Sequence, residues 1–392
     1  MRVYFHPAFR ERPRLGWFPG SLADAVALRG PETPARELLL EVHAPTLVEQ
    51  IEESQHRDLA LLSAGVVLAG TRDVAESGGR AVALPGVGGH HSGRAFYGGM
   101  CLFNDVAIAL ADLRRRRPWR VAVLDTDAHH ADGSLDVLGP DPETLYGCLC
   151  IEGFAPPYPE TFDVRVGPGL EPDAYLETAL GAFAPQVRRF RPELLIWYFG
   201  FDLLEGEYAS LGFQSDLLQR LAEGLIFLAD EVAGGRLLAV LGGGKEPRRA
   251  EEALAAVIGG LASNGSMPDL PEVERRDALA TAPTREWVEM TFGPLGAGKQ
   301  EVTVGSASVT PRRALDQLGL SYEDIDPIDL VPVEEGKRWA VRYFDPEDRR
   351  VVVMEFGPEF SIVSETRVHV KEWMGAAYYD FSWDVGCPWS LG

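Results

Sequence analysis

Two histidines and two aspartates fall within the short run Asp127-Ala128-His129-His130-Ala131-Asp132-Gly133. The run follows an apolar segment, Val121-Ala122-Val123-Leu124, that reads as a buried strand. Asp127 and His129 are two residues apart, so on extended backbone they point to the same side. A carboxylate and an imidazole on one side are the start of a metal site. A second histidine pair, His90-His91, comes after Ala81-Val82-Ala83-Leu84. Asp202 follows Leu194-Leu195-Ile196-Trp197-Tyr198-Phe199, and Leu237-Leu238-Ala239-Val240-Leu241 runs into Gly242-Gly243-Gly244. One of these histidines alone would read as a satisfied polar residue on a turn. The whole set, each member just past an apolar strand, is difficult to account for that way.

Four strands ending in polar or glycine-rich loops require an element that aligns them. Open parallel α/β sheets do this, gathering their sites beyond the carboxyl ends of the strands. Residues 1–265 alternate strand-like and helix-like segments as such a sheet demands. The expected helices span 36–53, 58–77, 105–116, 172–190, 215–233 and 246–261. The basic run Arg114-Arg115-Arg116-Arg117 reads as a solvated helix end that complements the helix dipole. Turn residues at Gly259-Gly260 and from Ser263 to Pro268 mark a linker, about 266–282. Residues 283–392 read as a small α+β domain, with strands at 287–292, 301–304, 339–343, 351–356 and 361–370 and a short helix near 311–318. Its aromatic end, Tyr378-Tyr379-Asp380-Phe381-Ser382-Trp383, reads as core packing or a cover for a groove or partner surface.

Several segments in order resemble the zinc-dependent histone deacetylase-like amidohydrolases. They are Gly89-His90-His91-Ser92-Gly93, Met100-Cys101-Leu102-Phe103-Asn104-Asp105, Asp125 through Gly133, Gly200-Phe201-Asp202 and Leu241-Gly242-Gly243-Gly244. Leu40-Glu41-Val42-His43-Ala44-Pro45 and Asp163-Val164-Arg165-Val166-Gly167-Pro168-Gly169 also look like that family. The resemblance covers residues 1 to about 265. It implies an arginase/deacetylase-like α/β fold: a mostly parallel sheet with helices on both faces, here followed by the small α+β domain.

The resemblance assigns one Zn²⁺ to Asp127, His129 and Asp202. Three protein ligands with a fourth position open is the catalytic pattern for zinc, although the same donors accept Fe²⁺ or Co²⁺. It makes His90 and His91 the general base and general acid, with Asp125 pairing His90 and Asp132 pairing His91 to fix tautomer and orientation. It places K⁺ near Asp125 and a substrate tunnel at Gly99 and Met100. Relatives often carry phenylalanine where Met100 stands. His130 is expected to pack or orient its loop, and Cys150, where many relatives have histidine, receives no role.

One departure bears on catalysis. Most active relatives follow the final Gly-Gly with a tyrosine that donates to the oxyanion; here the run continues Gly244-Lys245-Glu246-Pro247. Lys245 is the candidate replacement donor, and an idle, exposed Lys245 is the competing reading. Glu246, ionised, only accepts. Tyr198 and Tyr379 are other candidates.

Composition bounds the partners. The net charge of −22 disfavours nucleic acid and suits a cationic small-molecule or peptide acyl-amine substrate. No apolar run approaches a membrane span, and residues 1–6 lack a signal-peptide pattern, so the expectation is a soluble cytoplasmic protein with no membrane partner. The four cysteines form no recognisable disulfide or metal framework. Arginine far outnumbers lysine and asparagine is rare, as a GC-rich genome or a thermophile would produce. Self-association is expected, if anywhere, through the C-terminal domain.

The expected activity is removal of an acyl group, such as acetyl, from acetyl-lysine, an acetylpolyamine or a related amide. A deacetylase-like binding scaffold with weak catalysis is the alternative. A binuclear manganese ureohydrolase is a third, disfavoured because Ala131 and the single Asp202 stand where further bridging carboxylates are needed.

Overall fold

Strands that are buried along their whole length must be covered on both faces, and four strands here meet that condition. β4 (Val121–Asp125), β5 (Thr144–Cys150), β7 (Leu194–Phe199) and β8 (Leu237–Leu241) are buried at every residue. They belong to an eight-stranded parallel sheet with β1 (Arg2–Tyr4), β2 (Ala27–Arg29), β3 (Arg80–Ala83) and β6 (Thr161–Arg165), in the order β2-β1-β3-β8-β7-β4-β5-β6. The computed structural model describes residues 1–151, 158, 160–167, 169–267, 301–304, 307–319, 326–334, 338–345, 350–357 and 360–369. The expected strand at 287–292, the linker after 267 and the aromatic run 378–383 lie outside them.

The four strands read from the sequence are neighbours, β3-β8-β7-β4. The chain jumps from β3 past two strand positions to β4, builds outward through β5 and β6, and returns to fill the gap with β7 and β8. All four site-bearing loops therefore open on one end of the sheet at the place where the winding reverses, as ligand sites in such sheets do.

Helices connect the strands: α1 (Arg36–Val42), α2 (Pro45–Glu53), α3 (Arg57–Ser77), α4 (Asp105–Arg116), α5 (Asp132–Leu138), α6 (Pro172–Phe190), α7 (Asp216–Val232) and α8 (Pro247–Leu261). The single helix expected over 36–53 is two. Pro45 disfavours helical geometry in the residue before it, and Ala44 is extended at φ −63°, ψ 146°. Helix α4 begins at Asn104, whose side chain accepts from the Ala107 N–H at 3.0 Å, and ends in Arg114, Arg115 and Arg116. β5 and β6 have no counterpart in the sequence reading; Gly147 and the polar or charged residues of β6 break the apolar pattern that marks the central strands. No helix among the described residues is long and apolar enough to cross a membrane.

The described residues fall into two compact units, 1–267 and 301–369. The second unit contains a two-stranded antiparallel pair, β9 (Val302–Val304) with β10 (Ala307–Val309), and a short helix at Pro311–Gln317. A four-stranded antiparallel sheet follows: β11 (Asp326–Glu334), β12 (Arg338–Asp345), β13 (Arg350–Phe356) and β14 (Ile362–His369). Trp339, Val341 and Tyr343 on β12 and Val352, Met354 and Phe356 on β13 alternate into its own core. β11 has no counterpart in the sequence reading either; its two prolines and three acidic residues mask the strand pattern.

Candidate active site and metal centre

The segment after β4 leaves the sheet at Asp125, which is fully buried. Asp125 Oδ1 accepts the Asp127 N–H at 3.0 Å; Oδ2 accepts the Tyr146 hydroxyl at 2.7 Å and meets His90 Nδ1 at 3.1 Å. Both oxygens are thus engaged at the position where the resemblance implies K⁺. Turning the chain at Asp125 brings Asp127 and His129 together, and the loop after β7 adds Asp202. His129 Nδ1 lies 3.1 Å from Asp127 Oδ1 and 3.0 Å from Asp202 Oδ2. One ligand atom from each of the three falls within 4.8 Å of the others.

These residues fit a divalent cation. Asp202 Oδ2 is buried without a hydrogen-bond partner, although it lies close to the His129 ring. Burial opposes charge on His129, yet Asp127 and Asp202 outweigh it and hold its pKa well above the usual value. Burial likewise opposes ionisation of Asp127, but His90 and His129 hold its carboxyl well below the usual range. Two carboxylates converging on one ring nitrogen make a field that retains positive charge, and a metal ion held there would take the place of the proton.

Backbone closes tightly around these carboxylates. The Gly243 N–H donates to Asp127 Oδ2. A Cβ on Gly243 would lie 2.6 Å from Asp127 Oδ2 and 2.7 Å from Asp202 Oδ2, so only glycine lets the loop after β8 approach this closely. Behind that loop sits the buried Arg14, whose guanidinium donates to the carbonyls of Gly242 and Gly244.

The histidine pair stands beside the three ligand candidates. His90 is held at Nδ1 by Asp125, and His91 at Nδ1 by Asp132 at 2.7 Å. The two rings are 4.2 Å apart, and the His91 ring is 6.0 Å from that of His129. Burial opposes protonation of His90, but Asp127 and Asp125 carry its pKa up to about 9. Gly99, at φ +53°, packs directly on His91: a Cβ there would lie 2.2 Å from His91 Cδ2. Met100 also has positive φ, at 62°, which is unusual for a residue with a side chain.

The histidine loop is braced by His43, Asn104 and Ser134, to which the sequence reading assigns no role, and by Tyr198, a candidate oxyanion donor there that instead supports this loop. His43 Nδ1 donates to the Gly93 carbonyl at 2.8 Å, and its Nε2 accepts the Asn104 N–H at 3.0 Å. Asn104 also donates to the Ser92 carbonyl and to Ser134 Oγ. Tyr198 stacks on His90 at 4.9 Å, and its hydroxyl accepts the Gly89 N–H. The Leu40–Pro45 motif is the only sequence signal that His43 belongs here; nothing local points to Arg14 or Tyr146.

Of the candidate oxyanion donors, Lys245 is exposed and Tyr379 lies outside the described residues. The Lys245 and Glu246 N–H groups both donate to the carboxylate of Glu207, at 3.0 and 2.9 Å. This clamp fixes the neighbouring Tyr208. The Tyr208 ring stacks on His129, and its hydroxyl accepts the Gly244 N–H at 3.4 Å. Tyr208 is 42% exposed, so it borders both the candidate metal centre and solvent. Partial desolvation and the charges of Asp202 and Asp127 push its pKa above the ordinary value, so the hydroxyl keeps its proton. Sequence reasoning misses Tyr208 because it lies six residues past Asp202, outside any motif.

Residues 49–261 match the family model described as the histone deacetylase domain. The chain is 31% identical over 203 residues to a histone deacetylase-like amidohydrolase of Pseudomonas aeruginosa, covering 48% of this chain and 53% of that protein. It is 28% identical over 293 residues to human histone deacetylase 7, covering 63% of this chain and 30% of the other. It is also 28% identical over 228 residues to the mouse polyamine deacetylase HDAC10, covering 52% and 34%. The matches thus span about half or less of these relatives. Among solved structures, the HDA15 HD domain superposes with a TM-score of 0.59 at 21% identity, covering 67% of this chain and 90% of that one, and so shares its fold. The matched family model covers more than half of the chain, and the chain belongs to the histone deacetylase domain family.

Proposed function

We propose that this protein is a zinc-dependent amidohydrolase that removes an acyl group, such as acetyl, from an amine. The convergence of His129 Nδ1, Asp127 and Asp202 beside two carboxylate-held histidines carries this reading. Zinc held by those three residues would polarise the amide carbonyl and acidify a water molecule. His90 and His91 move the protons, from the attacking water and to the departing amine. Asp125 and Asp132 hold the two rings by Nδ1, which sets the direction in which each Nε2 points.

Tyr208 is the oxyanion donor in this reading, in place of Lys245. Its hydroxyl already accepts from Gly244, and its own proton remains to be donated toward the centre. Gly99 and Met100 form part of the wall along which the acyl group enters, with Gly99 against the His91 ring. The acidic protein favours cationic amines, so acetyl-lysine peptides and acetylpolyamines are the first substrates to try.

The test is amine release by zinc-loaded protein from a panel of acyl-lysine peptides and acylpolyamines, with His91→Ala as control. Turnover that disappears in the variant supports the reading. No turnover across the panel, with zinc bound, favours the binding scaffold, a reading that rests on the missing tyrosine after Gly243.

A further inference from the structure

A second cluster of metal-ligating side chains lies next to the first along the chain and takes no part in the reaction described above. Cys148 and Cys150 are two residues apart on β5 and so point to the same face of the sheet. Asp163 on β6 stands in register with Cys148. The loop after β4 brings His130 onto the same spot. All four are buried, and one ligand atom from each lies within 4.8 Å of the others. Cys150 Sγ is 3.3 Å from Asp163 Oδ1 and 3.9 Å from His130 Nδ1, and His130 Nδ1 is in contact with Asp163. Neither cysteine is in a disulfide.

We propose that His130, Cys148, Cys150 and Asp163 form a second, structural metal site that takes zinc or another thiophilic divalent cation. Zinc bonds of about 2.3 Å to sulfur and about 2.0–2.1 Å to nitrogen or oxygen set tetrahedral edges of roughly 3.3–3.8 Å, and the sulfur distances above are close to these. Two sulfurs, one nitrogen and one oxygen select zinc-like ions over magnesium or calcium. Four protein ligands leave no open position, which is the structural rather than the catalytic arrangement. Binding displaces the thiol protons and the proton shared by His130 and Asp163, each group going on to the ion as thiolate, neutral imidazole and carboxylate. The ion ties β5, β6 and the loop after β4 together. His130 is adjacent to His129, so the site braces the backbone that presents His129 to the catalytic candidates.

Burial means that the site loads as the chain folds, so the test is made during synthesis. The full chain is produced in zinc-depleted medium supplemented with cobalt. Cobalt bound by thiolates absorbs in the near ultraviolet through sulfur-to-metal charge transfer, whereas cobalt at Asp127, His129 and Asp202 has no sulfur ligand. The expected result is that absorption, with one more cobalt per chain than the Asp127 group accounts for. Asp202→Ala and Cys387→Ser keep the absorption, Cys150→Ser weakens it, and the double variant Cys148→Ser/Cys150→Ser loses it. Absence of the absorption from the cobalt-loaded wild type overturns the proposal, as does its loss in Cys387→Ser or its persistence in the double variant. If the double variant does not fold, the wild-type, Asp202→Ala and Cys150→Ser spectra decide. A chain inactive on every acyl amine but carrying thiolate-bound cobalt still supports this site, so the two readings fail separately.

Discussion

The ring of Tyr208 lies over that of His129, with centroids 5.5 Å apart and planes 28° from parallel. The contact joins a candidate zinc ligand to a tyrosine that borders both the Asp127–His129–Asp202 group and solvent. Glu207, clamped on the backbone of Lys245 and Glu246, holds that loop in place.

Tyr208→Phe keeps the stacked ring and removes the hydroxyl. Losing one oxyanion donor costs about 10²–10³ in kcat. The variant is expected to retain zinc and lose turnover on that scale, while Lys245→Ala turns over normally. Steady-state rates alongside zinc content check this. The reverse pattern would move the role to Lys245.

Asp132→Asn tests the hold on His91. The 2.7 Å contact at Nδ1 sets the tautomer and the direction of the ring. Partners at this remove from the reacting atoms are typically worth about 10–100-fold in activity. Kinetic measurement is expected to show such a loss with bound zinc unchanged. An equal loss of zinc would mean that Asp132 supports the ligands themselves.

Gly99→Ala sets a methyl group only 2.2 Å from the His91 ring, at a φ that side chains rarely adopt. His91 or the loop must shift. The expected outcome is a deep loss of turnover with zinc binding and overall fold retained, measured by kinetics and circular dichroism. Full activity would show that the loop at Gly99 moves freely and does not line the site.

His43 predicts a pH dependence of stability. Burial pushes its pKa down to about 4, from about 6.5 in an unfolded chain. Between those values the unfolded chain binds the proton and the folded chain does not. The neutral, doubly hydrogen-bonded ring therefore contributes its full stability above pH ~6.5. That contribution is lost as pH falls toward ~4, by on the order of 3 kcal/mol. Urea unfolding of wild type and His43→Gln across this range checks it. The gap between the two is expected to narrow as the pH is lowered; a constant gap would contradict the assignment.

Local chemistry is legible in the sequence because local geometry is short-ranged. The residue types at Asp127 and His129 are legible before any fold is known, but the expected extended backbone is not what joins them: the segment bends, and the His129 N–H donates back to Asp127 Oδ1 at 3.1 Å. Length and burial likewise make β4, β7 and β8 readable as unbroken apolar runs. The expectation of one helix over 36–53 fails because periodicity runs through Pro45, whose effect on Ala44 breaks it. β5 and β6 escape for the opposite reason: their pattern is diluted by glycine, cysteine and charge. With them go Cys148, Cys150 and Asp163, which have no common meaning until two strands are set side by side.

The amino-acid sequence by itself determined the family, the order of the motifs and the residue types offered for a metal and for proton transfer. Tertiary structure decided which of them meet. The winding that inserts β7 and β8 between β3 and β4 brings Asp202 and Gly243 to Asp127, and the loop beyond Asp202 returns Tyr208 to His129. Register along one strand follows from bond geometry, but the neighbour of a strand is set by the packing of the whole sheet, and no spacing along the chain encodes it.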